Sequence, residues 1–201
     1  RPPRPLTHDL IVLIVGRSGC GKTTLLSILG GLTRPTSGTV ELDGKDIWAL
    51  SDPELSRVRG GKIGFVFQFS GLLPTLTALE NVMLPSVFVG RQGDCRKRAQ
   101  GLLEAVGLSG KFYSYPSQLS GGELKRVAVA RALVNDPEII LADEPTSDLD
   151  IDTEREIMEL FKSINQQGKT ILMVTHNPDL SIYANCVLRM DKGRIVGVKY
   201  E

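Results

Sequence analysis

An α/β fold with a mainly parallel core sheet is what this sequence predicts, on three observations. Short apolar runs of strand length recur at residues 10–15, 63–67, 139–142 and 170–174. Between the later runs lie stretches with apolar residues at helical spacing, 123–134 and 153–165, and 23–29 follows the first run in the same way. Turn formers such as Asn135-Asp136-Pro137 punctuate the alternation. Strands separated by helices cannot close as hairpins, so they line up in parallel with helices on the faces of the sheet.

The bulk properties agree with one soluble domain. At 201 residues the chain buries a sizeable core without needing a second full domain. Hydrophobic residues make up 41% and charged residues 23%, which argues against disorder and against a fibrous repeat. A net charge of +1 creates no global field toward nucleic acid or anionic lipid. Cys20, Cys95 and Cys186 show neither metal-ligand spacing nor a CxxC pair, so a reducing compartment is expected. No apolar run approaches the roughly 20 residues that span a bilayer, so any membrane role needs a partner that supplies the spans. The opening Arg-Pro-Pro-Arg-Pro has no periodicity, and the chain is expected to begin partway into its domain.

In chain order, residues 10–15 read as a buried strand entering a glycine-rich turn, and 23–29 as the helix that leaves it. Residues 39–42 with Asp43-Gly44 read as a hairpin, the small antiparallel part of the fold. Residues 63–67 form another buried strand, which places Gln68 at a strand end. From 76 to about 106 the pattern is helical and polar, broken at Pro85 and Gly90, and it closes in the turn-rich 113–117. This is a helical lobe. After it, 123–134 is a helix, 139–142 a strand, 153–165 a helix, 170–174 a strand, 178–184 a helix, and 186–190 and 194–198 strands.

Gly16-Arg-Ser-Gly-Cys-Gly-Lys22-Thr23-Thr24 sits between the first strand and its helix. Glycines let Gly16, Arg17, Ser18, Gly19, Cys20 and Gly21 curl so that backbone amides face an anion. Lys22 adds charge toward terminal phosphates, the helix start adds its dipole, and the Thr23 hydroxyl is placed to coordinate Mg²⁺. Cys20 reads as a small side chain filling the loop. Strand 139–142 delivers Asp143 and Glu144 to its end, from where both can reach the phosphates if that strand lies next to the first. Asp143 is then the Mg²⁺ carboxylate and Glu144 the acceptor of a proton from the attacking water.

Ser120-Gly121-Gly122 precedes a helix, so its free amides and the hydroxyl make a second anion site. With Leu119, Glu123 and the run on to Leu133, the phosphate loop, Gln68, Asp143-Glu144 and His176, the chain resembles the nucleotide-binding domain of ATP-binding cassette transporters from Leu10 to Val198. The resemblance implies a P-loop NTPase (RecA-like) core, about 1–70 and 135–201, with an inserted helical subdomain at about 71–134. It implies an ATPase acting on ATP with Mg²⁺, and a head-to-tail dimer. In that dimer the phosphate loop of one copy and Ser120, Gly121, Gly122 and Glu123 of the other enclose each ATP.

By the same resemblance Gln68 touches the metal beside Thr23 and Asp143, residues 147–150 contact the second copy, and His176 meets the γ-phosphate. The catalytic set is Glu144, His176 and Lys22. A multi-spanning membrane subunit is the implied partner, with the chain peripheral at the cytoplasmic face. No nucleic acid is expected. Residues 72–82 read as core packing, with part of the segment a docking surface. Two departures stand out. Family members usually carry an adenine-stacking aromatic on an early strand, and nothing before Gly16 is Tyr, Phe or Trp, His8 being a poor substitute. Asp148 stands where alanine is commoner.

Residues from Leu55 through Gln68 and on to Val82 resemble the branch with lipoprotein-releasing and macrolide-export ATPase subunits. A soluble cassette ATPase of DNA repair or translation is the alternative, but such families carry long coiled-coil insertions or tandem cassettes, and the stretch between Lys22 and Leu119 contains neither. A P-loop small-molecule kinase has no use for residues 119–123, and a non-hydrolysing module none for Glu144 and His176.

Overall fold

The computed structural model describes residues 9–89 and 94–200. Its centre is a six-stranded sheet in the order β4 (Ile63–Val66), β5 (Ile139–Asp143), β6 (Thr170–Thr175), β1 (Ile11–Val15), β7 (Cys186–Asp191) and β8 (Arg194–Tyr200). The first five are parallel, and β8 turns back antiparallel on β7. A two-stranded hairpin of β2 (Glu41–Leu42) and β3 (Lys45–Asp46) stands apart, turned at Asp43 and Gly44, both in the left-handed region. Two consecutive positive φ angles suit the twist of a tight hairpin, which is why Asp-Gly marks one.

β1 shows how the layers arise. Ile11 and Leu13 pack into the cluster of Ile157, Met158 and Phe161 from α6 (Ile151–Gln166), whereas Val12 and Ile14 face Leu26 of α1 (Lys22–Leu29). Side chains alternate along a strand, so a strand covered on both faces must be apolar at every position. Truncating the fully buried Phe161 to alanine would cost about 3–5 kcal/mol.

A third cluster belongs to α3 (Ala78–Val89), α4 (Cys95–Ala105) and α5 (Gly121–Leu133), with Leu79, Val82, Leu103 and Val127 at its centre. Between the hairpin and β4 runs α2 (Asp52–Lys62), begun by a Ser51–Glu54 capping box. Among the described residues no helix is long and apolar enough to cross a membrane.

The fold departs from the sequence expectations in four places. Pro85 lies inside α3 rather than ending a helix. The proline removes one N–H, but the surrounding positions Asn81, Val82 and Ser86 are buried, and the Ser86 hydroxyl donates to the Met83 carbonyl at 2.6 Å. Gly90, the other expected break, lies outside the described residues. β4 stops at Val66, so Gln68 stands two residues past the strand. Residues Pro178–Tyr183 form a 3₁₀ helix, started by Asn177, whose side chain accepts from the Asp179 amide. Most consequentially, β5 is not beside β1: β6 lies between them.

Candidate phosphate-binding cleft

Parallel strands that end on one edge of a sheet bring their following loops together, and that edge carries a cleft of about 400 Å³. Ser18, Gly19, Gly21, Lys22, Thr23 and Thr24 line it, joined by Gln68, Glu144 and His176. Gly19 and Gly21 have φ of 77° and 102°, the conformations that let the loop turn its amides inward. Gly16 has no room for a side chain: a Cβ would lie 2.4 Å from the Met190 carbonyl oxygen. The start of α1 has no side-chain cap and no acidic residue in its first turn, so its amides are left to an incoming anion.

Not every residue of the loop faces the cleft. Cys20 is buried, its sulfur under Gly16 and its side chain in the core, so it fills the loop from behind. The carbonyls of Gly16 and Arg17 point back to accept from Lys22 Nζ, at 2.8 and 3.3 Å. Lys22 itself is only 6% exposed and lies 3.6 Å from Glu144 Oε1. Its charge is therefore held at the cleft by backbone, not swung in from solvent.

The strand between β1 and β5 does not keep the carboxylates away. Thr23 Oγ1, on the helix that crosses the sheet, donates to Asp143 Oδ1 at 3.2 Å. Burial holds the Asp143 carboxyl above its usual range, with the nearby Glu144 charge adding to it, while the Thr23 hydrogen bond and Lys22 pull the other way. Glu144 has a left-handed φ of 44°, and its amide donates to the Val174 carbonyl at 2.9 Å. That turn directs the second carboxylate to a different partner. His176 Nδ1 is 2.9 Å from Glu144 Oε2, and the His176 amide donates to the same oxygen at 3.2 Å. The imidazole remains 65% exposed while the carboxylate is 12% exposed, so the carboxylate is shielded and its neighbour faces solvent.

The second anion element is elsewhere. Ser120 and Gly121 are exposed, and Ser120 through Glu123 form no part of the cleft wall. Glu123 closes a capping box: its carboxylate accepts from the Ser120 amide at 2.8 Å, and its own amide donates to Ser120 Oγ at 3.2 Å. These bonds, with Lys111 at 3.3 Å, hold the Glu123 carboxyl below its usual range. The Ser120 hydroxyl keeps its proton for an acceptor outside. Gly122 lies against Thr153, where a Cβ would come within 2.6 Å of Cγ2, and Gly121 lies near Leu149, so the start of α5 rests on the loop 147–150 and the start of α6.

Sequence reading passed over Lys125, Arg131 and Asn81. Lys125 is 7% exposed and its ammonium donates to the Gln68 carbonyl. The available signal was a lysine sharing a helix face with Val129 and Ala132, all three buried. Asn81 is fully buried and uses its amide on the carbonyls of Leu73, Leu76 and Thr77 and on the Leu73 amide. Of the expected docking segment 72–82, Ala78, Leu79, Asn81 and Val82 are therefore interior. Leu73 of that segment is exposed, and outside the segment so are Phe67, Phe69, Val87 and Phe88. His8 lies outside the described residues.

A glycine-rich loop, a strand-end carboxylate pair and a parallel sheet define a P-loop ATPase, and comparisons with known proteins narrow the class. The sequence pattern of the ABC transporter family matches residues 5–147. An ABC transporter ATP-binding protein of Thermotoga maritima is 52% identical over 189 residues, covering 94% of this chain and 81% of that protein. The lipoprotein-releasing system ATP-binding protein LolD of Aquifex aeolicus is 46% identical, covering 92% of this chain and 84% of its own length. The macrolide export ATP-binding/permease protein MacB of Rhodopirellula baltica is 48% identical across 92% of this chain but only 28% of MacB. Among solved structures, the dimeric cassette MJ0796 superposes with a TM-score of 0.90 at 42% identity, covering 97% of this chain and 87% of that one. A second structure of the same cassette, dimeric and bound to ADP and phosphate, gives 0.88.

The chain belongs to the ABC transporter family, it is an ATP-binding ATPase of that family, and it is similar to the LolD and MacB proteins.

Proposed function

We propose that two copies of this chain bind head to tail, close on two ATP molecules, and use their hydrolysis to drive a multi-spanning membrane subunit of the export or lipoprotein-release type. The observation that carries this reading is Glu144, shielded, oriented by His176 through ring and backbone, and 3.6 Å from Lys22 at the mouth of the phosphate loop. A carboxylate so placed takes the proton of a water attacking the terminal phosphate. Lys22 and the amides at the start of α1 offset the charge of the phosphates, and the His176 side chain reaches the γ-phosphate from the open side. Phosphoryl transfer is catalysed mainly by positioning and charge, which these groups supply without covalent chemistry.

The residues present suit Mg²⁺. Thr23 Oγ1 and Asp143 Oδ1 converge at 3.2 Å, and a hard cation there would offset the cost of burying the Asp143 charge. Thr23, Gln68 and Asp143 would hold the ion, which when bound offsets the phosphate charge.

What one copy lacks is a donor over the far side of the phosphates. Ser120, Gly121 and Gly122 bring the Ser120 hydroxyl, helix-start amides and a helix dipole, and the exposure of Ser120 and Gly121 supports their use by a second copy. The membrane subunit would dock beside the groove of about 450 Å³ lined by Leu32, Phe65, Phe67 and Pro85, at the cytoplasmic face of the bilayer. In this reading the core is 1–70 with 135–201, and 71–134 is a helical lobe that swings with its partner.

Glu144→Gln tests the reading. Turnover should fall about 10²–10⁴-fold while ATP binding persists, and ATP should convert the variant to a stable dimer in sedimentation. Unchanged turnover would remove Glu144 from the mechanism.

A further inference from the structure

Helix α5 begins at the exposed Ser120-Gly121 turn, and deeper along its length it grips the loop that carries Gln68. Lys125 donates to the Gln68 carbonyl. Arg131 donates through Nη1 to the Gly71 carbonyl at 2.7 Å and through Nη2 to the Ser70 carbonyl at 2.6 Å. Three carbonyls among the four residues 68–71, which lie outside any helix or strand, are thus held by two cations of one helix. Charge-assisted bonds of this kind are roughly twice as strong as neutral ones. The loop opens into the cleft, where Gln68 stands in the wall with Glu144.

Lys125 is the informative member of the pair. Its helix face is otherwise filled by Val129 and Ala132, so packing alone would be served by leucine or methionine. A buried ammonium loses much of its hydration, and only its partners compensate. Besides the Gln68 carbonyl, those partners are the charges of Asp148 and Glu144, which both favour the ammonium form. The same group thus faces the cleft loop, the catalytic carboxylate and the loop expected to meet a second copy.

We propose that Lys125 is a positioning residue that makes loop 68–71 follow helix α5, so that a molecule meeting the exposed start of α5 resets Gln68 within the phosphate cleft. The proposal rests on the reading of Gln68 as a working residue of that cleft. It differs from a packing role in what it predicts for motion. α5 and loop 68–71 move as one body, and cutting the link frees the loop without unfolding the helix.

Lys125→Met provides the test, because it keeps the volume of the stem and removes the donor. Hydrogen exchange of the nucleotide-free protein should speed up about tenfold in residues 67–71, with the interior of α5 unchanged. Turnover should fall about tenfold, with the KM for ATP within about twofold of the parent, and the Mg²⁺ concentration for half-maximal rate should rise. Lys125→Gln, with a shorter neutral donor, should give a smaller change of the same sign, and it serves in place of Lys125→Met if that variant does not fold. Gln68→Ala should reduce turnover while leaving exchange in 67–71 as it was, since the carbonyl remains. Unchanged exchange in 67–71 for both Lys125 variants overturns the coupling and leaves Gln68 its role, and so does faster exchange spread along all of α5. Unchanged turnover in Gln68→Ala overturns the reading beneath it and the proposal together.

Discussion

The start of α1 and the start of α5 share a chemistry and differ in what surrounds them. Both have helix-start amides and a positive dipole end, which suit an anion. Around the first, three other chain segments have gathered: Gln68, Asp143 with Glu144, and His176 arrive from the ends of β4, β5 and β6. The second is exposed at Ser120 and Gly121, rests on the loop 147–150 and the start of α6, and has Glu123 turned back into the capping box. The lesson is that a parallel sheet assembles only the groups that follow its strands. The start of α5 follows no strand of that edge, and in the proposed dimer a second molecule completes it.

The strongest way to break this contrast is to damage each end in a separate copy. Lys22→Ala and Gly121→Glu should each lower ATP turnover by about two orders of magnitude or more, the first by weakening phosphate binding and the second by placing a negative charge at an anion site. Gly121 has space, its nearest contact for a Cβ being Leu149 Cδ2 at 3.7 Å, so the Gly121→Glu chain should fold. Mixed in equal amounts, the two variants should regain turnover, because one of the two shared sites then carries intact halves. A mixture no more active than its components rules out the head-to-tail arrangement.

Asp143→Asn sharpens the picture at the completed end. Because burial raises the Asp143 pKa above its unfolded value, the folded chain loses stability as pH rises through the raised value and the carboxyl ionises. The variant should therefore melt at a higher temperature than the parent at pH 7 in chelator, and the difference should vanish below the ordinary aspartate range. With Mg²⁺ and ATP it should be inactive. A lower melting temperature at pH 7 would mean that Asp143 is held by partners, not poised for a cation.

The smallest effect is expected at Ser120. Ser120→Ala removes the cap on Glu123 N and should cost about 1 kcal/mol of stability, read by denaturant titration. If Ser120 also donates to a phosphate across the dimer, turnover should fall with no change in the monomer's affinity for nucleotide. A turnover equal to the parent's would reduce Ser120 to a helix cap.

Much of the cleft was legible because its residues are neighbours in sequence or end apolar runs. Gly16 to Thr24 announces its own geometry, since only glycine takes the φ values at 19 and 21 without strain. Asp143 and Glu144 were legible from the run before them. Their relation to the loop was not, since the sequence offers no hint that β6 enters between β1 and β5, or that Thr23 on a crossing helix closes the distance. The break expected at Pro85 was misjudged for a similar reason: burial of α3 among its neighbours outweighs one missing hydrogen bond.

What the sequence determined by itself is local chemistry: the loop that bends, the strands that must be covered on both faces, and the two helix starts that attract anions. Periodicity and glycine placement act within a few residues, so they can be read one segment at a time. Only the tertiary structure decided which of these met. It put Lys22 against Glu144, His176 behind the same carboxylate, and Lys125 against the Gln68 carbonyl across a separation of 57 residues. Such encounters depend on strand order and on helix packing, where burial of apolar faces sets the position and the charged groups must satisfy one another where they land.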